Sequence, residues 1–506
     1  MLRTLLCASL ALLAAPSLAI GATVHFSNYT QTCSSCWDNG FYHADFNNDG
    51  YEDLAYVVSP PMGGNSTFVV KFSNKNGAYS SPVSYGIPNY NGATDSIAGL
   101  ALGDFYHDGS MDIVALSVDS GKAYIFHNTG SGAFSQSGSF QYVAAGGSVS
   151  ASSVVGADFN HDGNLDLAIV SSASQLHIWF GDGKGGFTSG PAQQVNGLKL
   201  ALGDFDGDGK ADLLNYGDPA RTSDAYVYYG DGTGHFPDEL TLGLSSGYAA
   251  FSVGDVNSDA NSDVIATDPT VSQSRVFVFY GDAARKFASR TNMLVGRCVA
   301  AQPVSVADMD GNGLNDMIIQ EQDCNNPNAG ALYVDVLTRN PNASYNPDQT
   351  IYWAQKAADG NIYEVSQPPI VLRANQDSAP DLLVQQCADS YCYTHYNTTM
   401  LNTTSGNFNS CSAPRAAEGI TVCSPLSGQS ASSPVRFQIA AAGPVPMRDV
   451  EVWIDGSKRA EQIDGYSYYT FLDRSVTLSP GSHNVTVFGA GWDQTLVKKS
   501  FTLSVQ

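Results

Sequence analysis

The chain has 506 residues, with 50 Gly, 26 Tyr, 23 Phe and only 14% charged residues, a composition that excludes coiled coils, helical solenoids and disorder and points to turn-rich β structure. Acids outnumber bases 48 to 24, giving a net charge of −24. A surface of that sign repels phosphate backbones and anionic lipid, which argues against nucleic-acid binding and suits cations.

Arg3, an apolar run over residues 5–15 and the small residues around Ser17, Leu18 and Ala19 read as a secretory signal peptide over 1–22. No other stretch is long and apolar enough to cross a membrane. The expected location is secreted or cell-surface. Apart from Cys7, the cysteines form close pairs: Cys33 with Cys36, Cys298 with Cys324, Cys387 with Cys392, and Cys411 with Cys423. Disulfides in an oxidising compartment are the natural reading, although spacing does not prove connectivity. The Cys33–Cys36 spacing also suits a redox or zinc motif, but no second pair sits at zinc spacing.

Self-similarity is the strongest signal. Seven segments begin at Asp45, Asp104, Asp158, Asp204, Asp255, Asp308 and Arg373, 46 to 65 residues apart. In the complete pattern, oxygens at positions 1, 3 and 5 of a tight loop converge, Gly at position 6 permits the turn, a backbone carbonyl at position 7 adds a ligand, and a carboxylate at position 9 closes the set. Hard oxygen ligands of this number fit Ca²⁺. The first loop offers Asp45, Asn47, Asp49, Tyr51 (by its carbonyl) and Asp53. The second offers Asp104, Asp108, Ser110 and Asp112, with Tyr106 a poor replacement at position 3. The third offers Asp158, Asn160, Asp162, Asn164 and Asp166, and the fourth Asp204, Asp206, Asp208, Lys210 and Asp212. The fifth offers Asp255, Asn257, Asp259, Asn261 and Asp263, with Ala260 in place of Gly. The sixth offers Asp308, Asp310, Asn312, Leu314 and Asp316. The seventh starts with Arg373, whose guanidinium repels a dication. It is expected to hold no metal and to pair Arg373 with Asp377 or Asp381, so the chain should bind four to six Ca²⁺. An EF-hand would need Glu at position 12 and a following helix; here a short apolar β-rich run follows instead.

Within the third unit, residues 167–170 form a continuous apolar run suited to a strand buried on both faces, and 176–180 form another strand. A Gly-rich turn over 181–187 comes next, followed by a more polar outer strand near 193–195. Four short strands per repeat suggest a propeller blade. The loops, with turns such as Tyr229-Gly230-Asp231-Gly232-Thr233-Gly234-His235-Phe236, resemble the FG-GAP (VCBS-type) repeats of integrin-α-like propellers across roughly 23–415. The resemblance implies an all-β, seven-bladed β-propeller with calcium on one face of the blades and ligand binding at propeller-face loops. The segment from Thr23 to Phe26 is expected to supply an outer strand to the last blade.

After Pro414 the repeat stops. Alternating strands near 435–439, 450–454 and 485–488, with Asp455-Gly456 and Pro480-Gly481 turns, suggest a small β-sandwich over 419–506. Val422-Cys423-Ser424-Pro425, Ile454-Asp455-Gly456 and Pro480-Gly481-Ser482-His483 make it similar to bacterial Ig-like domains.

Signs of catalysis are weak. Residues 243–247 match Gly-x-Ser-x-Gly, and 181–186 match Gly-x-Gly-x-x-Gly, but neither precedes a helix. No catalytic or organic-cofactor residues are assigned. The expected role is non-catalytic binding or adhesion, recognising an extracellular glycan or protein. The alternative is an extracellular polysaccharide lyase or hydrolase. Trp37, Tyr85, Tyr90, Tyr352 and Trp353 are candidates for stacking on sugar rings, set against plain packing between units.

Overall fold

Each repeat unit folds as an antiparallel meander, because its apolar runs are bounded by Gly-rich turns. In the third unit the strands Ala151–Ala157, Asp166–Ser171, Gln175–Gly181 and Phe187–Gln194 pair in sequence order. Asp166–Ser171 is buried at every position. Its neighbouring residues face opposite ways: Ala168 and Val170 pack towards the fourth sheet, Leu167 and Ile169 towards the second. The outermost strand starts at Phe187, earlier than its polar stretch suggested. Pro191 is tolerated there because an edge strand has spare N–H positions.

This computed structural model describes residues 26–34, 41–58, 66–92, 94–143, 151–217, 224–243, 250–259, 261–268, 275–294, 298–299, 303–322, 332–340, 344–352, 369–375, 379–387, 394–404, 419–427, 429–491 and 496–506. Among them all regular structure is strand, and no helix is long and apolar enough to cross a membrane. The signal-peptide segment, Thr23 and four of the cysteines (Cys36, Cys324, Cys392 and Cys411) lie outside the described residues. Cys423 is disulfide-bonded.

Among the described residues, seven sheets of four or five strands precede the C-terminal domain. A separate apolar cluster joins each to the next. The last places Leu54 and Tyr79 of the first sheet against Leu372, Ala374 and Leu383 of the seventh, which closes a ring. The seventh sheet takes its outer strand from the other end of the chain. Phe26–Ser34 pairs antiparallel with Thr394–Asn402 over its full length, from Phe26 opposite Asn402 to Ser34 opposite Thr394. Closure by an N-terminal strand is what the register shows, but on Phe26–Ser34; of the expected segment only Phe26 lies among the described residues.

The C-terminal domain is built on two long strands, Val435–Ile454 and Ser457–Val476, which run through both halves of one core. Phe437, Ile439 and Ala441 face inward at odd positions, whereas Val450, Val452 and Ile454 do so at even ones. A bulge makes the switch: Met447 and Asp449 lie opposite Gly491 and Ala490, so one residue, Arg448, is extra. The domain rests on the end of the ring that carries the repeat loops. Ala442 and Phe471 join the cluster between the first and second sheets, and the guanidinium of Arg373 lies 3.2 Å from the centre of the Phe471 ring.

Candidate functional site

The first six repeat loops are nests of N–H groups around their own acids. In the fourth, Asp208 N and Gly209 N donate to Asp204 at 3.1 and 2.9 Å, Asp208 N to Asp206 at 3.1 Å, and Lys210 N to Asp208 at 2.9 Å. The first, third and sixth loops repeat the full pattern. The turn needs two left-handed residues. Position 6 is Gly in the first four loops and the sixth, with φ between 81° and 89°. Position 4 is also left-handed, at Asn48, His107, His161, Gly207, Ser258 and Gly311. That second requirement was not read from the sequence; its trace was Gly at position 4 in two copies. Ala260 of the fifth loop lies outside the described residues.

The closing Asp at position 9 has a role the spacing did not reveal. Asp53, Asp112, Asp166, Asp212, Asp263, Asp316 and Asp381 are all fully buried. In every copy one oxygen accepts the N–H of position 2 and the other accepts an N–H where the third strand ends. For Asp166 these donors are Phe159 and Gly181, both at 2.9 Å. For Asp381 they are Ala374 and Asn402 at 2.9 and 2.8 Å. The remaining five follow the same rule. Position 9 is thus a staple between loop and sheet, even in the seventh copy. Position 2 grips the next sheet: the Phe46–Phe134, Phe105–Phe187, Phe159–Phe236 and Phe205–Phe287 ring pairs, centred 5.6 to 5.8 Å apart, each join a loop to the turn of the following unit.

The acids are held where charge is costly. Burial pushes Asp158 up to about 6, Asp204 and Asp308 up to about 7, and Asp53, Asp112, Asp166, Asp212 and Asp263 up to about 8, with neighbouring carboxylates adding to the rise. Carboxylate oxygens of Asp204, Asp206 and Asp208 lie within 4.8 Å of one another, as do those of Asp308, Asp310 and Asp316. Convergent hard oxygens of this kind fit a divalent cation of the Ca²⁺ type, and in the fourth loop Lys210 Nζ, 2.6 Å from Asp208, meets part of the charge.

The copies differ in ways the structure explains. In the second loop, His127 places Nδ1 3.1 Å from Asp112 and Nε2 3.4 Å from Asp108, while the ring of Tyr106 packs 4.0 Å from that of His127. In the fourth, Arg285 from the next unit reaches Asp206 at 2.5 Å and Asp208 at 3.5 Å. In the seventh, the Arg373 N–H donates to Glu52 at 2.9 Å and its guanidinium stacks on Phe471; Asp377 lies outside the described residues. His127 and Arg285 were missed because each comes from a strand or turn remote in sequence. A further acidic group, Asp449, Glu451 and Glu461, is met by its own cation, with Lys458 Nζ 3.0 Å from Glu451 and 2.7 Å from Glu461.

On the same loop end, the fifth and sixth units enclose a cleft of about 990 Å³. Its walls combine Tyr280, Tyr345, Met293 and Leu337 with Arg339, Asn257, Asp259, Asp282 and Ser344. Arg339 Nη1 donates to Ser258 at 3.4 Å, which leaves most of its fork for a ligand. Of the aromatics read as possible sugar platforms, Tyr85 is taken up in packing. It stacks on Phe68 at 5.1 Å and donates its hydroxyl to Gly132 at 3.2 Å. Trp37 and Trp353 lie outside the described residues. The 181–186 glycines form a turn between two strands, with Gly183 and Gly185 at positive φ, and residues 244–247 of the other motif lie outside the described residues.

Comparison with known proteins gives two family matches. An FG-GAP-like repeat model matches four overlapping segments, 45–115, 104–169, 158–215 and 204–266, and a bacterial Ig domain model matches 419–487. No curated protein matches the chain. Among solved structures, the chain is similar to BBS1N in complex with ARL6DN, in crystals soaked with lead or with mercury. Identity is 9% and 10%, TM-scores are 0.45 and 0.46, and coverage is 76% and 78% of this chain against 99% and 97% of the other. It is also similar to the exotype rhamnogalacturonan lyase YesX, at 12% identity and a TM-score of 0.42, covering 77% of this chain and 76% of that one.

Proposed function

We propose that this chain, an FG-GAP repeat β-propeller protein with a C-terminal bacterial Ig domain, is a secreted or cell-surface binding protein, stabilised by four to six Ca²⁺ and recognising an extracellular glycan. The ions are structural: each would tie one loop to its own sheet, held by the side-chain oxygens at positions 1, 3, 5 and 9 and the carbonyl at position 7. They supply charge neutralisation and loop order.

The observation that carries the ligand reading is the cleft between the fifth and sixth units. Its volume of about 990 Å³ lies at the upper end of small-ligand sites, where a saccharide of a few rings fits. Tyr280 and Tyr345, which also pack against the apolar cluster between these units, line the cleft with aromatic surface, while Asp259, Asp282, Asn257 and Arg339 offer the acceptors and donors that hydroxyl groups need. The C-terminal domain covers part of the same face through Ala442 and Phe471 and through contacts with the first strands of the second, fourth and fifth sheets, so the outer part of that face is what remains for a ligand.

The test is a glycan array and a panel of soluble polysaccharides, read with the wild-type protein, Arg339→Ala and Tyr345→Ala. Retention that both substitutions weaken at least about tenfold, without release of product, supports the reading. Retention indifferent to both substitutions refutes the cleft, and chain shortening of a retained polysaccharide refutes the non-catalytic role.

A further inference from the structure

The C-terminal domain meets the loop end of the ring through two arginines that make the same contact. Arg448 is the extra residue of the bulge between Met447 and Asp449, and a bulge re-aims one side chain. Its Nη1 donates to the carbonyl of Gly209 at 2.6 Å, while Asp449 holds its Nε at 2.7 Å. Arg474, on the other long strand, donates from Nη1 to the carbonyl of Gly313, and its Nη2 is held by Gln462 at 2.7 Å. Gly209 and Gly313 are both position 6, of the fourth and sixth loops, with φ of 83° and 82°. The equivalent Gly50 and Gly163 have no atom within 4 Å of where a Cβ would stand, so this end of their loops is open.

The carbonyl that each arginine takes belongs to the peptide next to the one whose carbonyl would face an ion. Anything that fixes that turn therefore fixes the docking acceptor. We propose that the C-terminal domain is clamped to the propeller by the metal-loaded form of the fourth and sixth loops, so that Ca²⁺ occupancy of these two loops controls domain docking. The inference rests on the calcium reading above. Electrostatics do not reverse its sign. The sixth loop carries three carboxylates (Asp308, Asp310, Asp316) and stays negative beside one divalent ion, while the fourth carries four (Asp204, Asp206, Asp208, Asp212) already met by Lys210 and Arg285, so an ion leaves it neutral rather than positive towards a guanidinium. What the ion adds is order at the sixth peptide.

The experiment is hydrogen exchange read by mass spectrometry on the full chain, with calcium and with excess chelator, while calorimetric titration counts the ions bound. In the wild type, chelation should speed exchange of residues 447–454 and 470–476 by about ten- to hundredfold, the scale of the one charged hydrogen bond that clasps each segment. Exchange across Asp166–Ser171, in the core of the third sheet, should change less. Arg448→Ala with Arg474→Ala should give fast exchange of the same C-terminal segments even in calcium. Asp208→Ala should do so, whereas Asp162→Ala, in a loop the domain does not clasp, should not. Bound calcium with unchanged or slower exchange on chelation overturns the clamp alone, as does a protected double arginine variant. Absence of any calcium binding overturns the calcium reading and the clamp with it. Should chelation unfold the whole chain, the double variant in calcium decides.

Discussion

Replacing Asp381 by Ala isolates the work of the position-9 carboxylate from any work of metal. Asp381 accepts the buried N–H groups of Ala374 and Asn402, the same pair of bonds that Asp166 makes with Phe159 and Gly181, but its loop begins with Arg373 rather than a ligand. Asp381→Ala and Asp166→Ala each strand two buried donors, at about 1–3 kcal/mol per donor, or about 2–6 kcal/mol in all. With an unfolding entropy of about 2.1 cal/mol/K per residue over a ring of roughly 380 residues, that lowers Tm by about 2–8 °C. Scanning calorimetry in excess chelator should show the two variants losing the same amount. In calcium, Asp166→Ala should fall further behind the wild type, since an ion loses a ligand, whereas Asp381→Ala should keep its deficit unchanged. The reasoning fails if Asp381→Ala is harmless in chelator, or if its deficit grows with calcium as that of Asp166→Ala does.

Chelation of the wild-type chain should lower Tm, with Ca²⁺ restoring it better than Mg²⁺ because the loops are too open for tight octahedral geometry; elemental analysis should find four to six ions, and seven would count against the role given to Arg373. Gly230→Ala should destabilise by about 1–3 kcal/mol or more, because a Cβ there would stand 2.3 Å from the carbonyl oxygen of Ala211, whereas an added methyl tolerated without loss of Tm would contradict that contact. Glu461, pushed up to about 7 mainly by burial, binds a proton more readily folded than unfolded, so its contribution falls as pH rises from about 4.5 through 7. Glu461→Gln should therefore raise Tm at pH 8 and change it little near pH 4, and a uniform shift across that range would contradict the burial argument.

The sequence made the loops legible because seven copies of one ligand spacing cannot be mistaken for scattered acids. It also revealed the buried second strand of each unit, since runs such as Leu167 to Val170 have no polar face to hide. It showed the change of texture near residue 419 too. What stayed illegible has a common cause. Arg448 and Gly209, Arg285 and Asp206, and His127 and Asp112 meet only after folding, and no periodicity links them. Position 4 escaped notice because Asn48, His107, His161 and Ser258 carry side chains where a left-handed backbone would favour Gly. Position 9 was readable as a carboxylate but not as a staple, because its donors are backbone groups, which leave no mark on the sequence.

The pairing of Phe26–Ser34 with Thr394–Asn402 dictates an order of events during synthesis. The first strand leaves the ribosome with no neighbour, and the strand that receives it is the last of the ring to be made. Until then two bare edges wait, each a template for association with another copy, and the clasp that removes them needs the least local contact in the ring. Closing so long a loop costs only a few kcal/mol, because the entropy grows with the logarithm of its length. The hazard is therefore one of time rather than energy. A permuted chain that starts at Phe41 and carries the 26–34 strand after Asn402 through a short turn of two or more residues would have the same ring with its seam turned into a hairpin, and its nascent form would pass through no such interval.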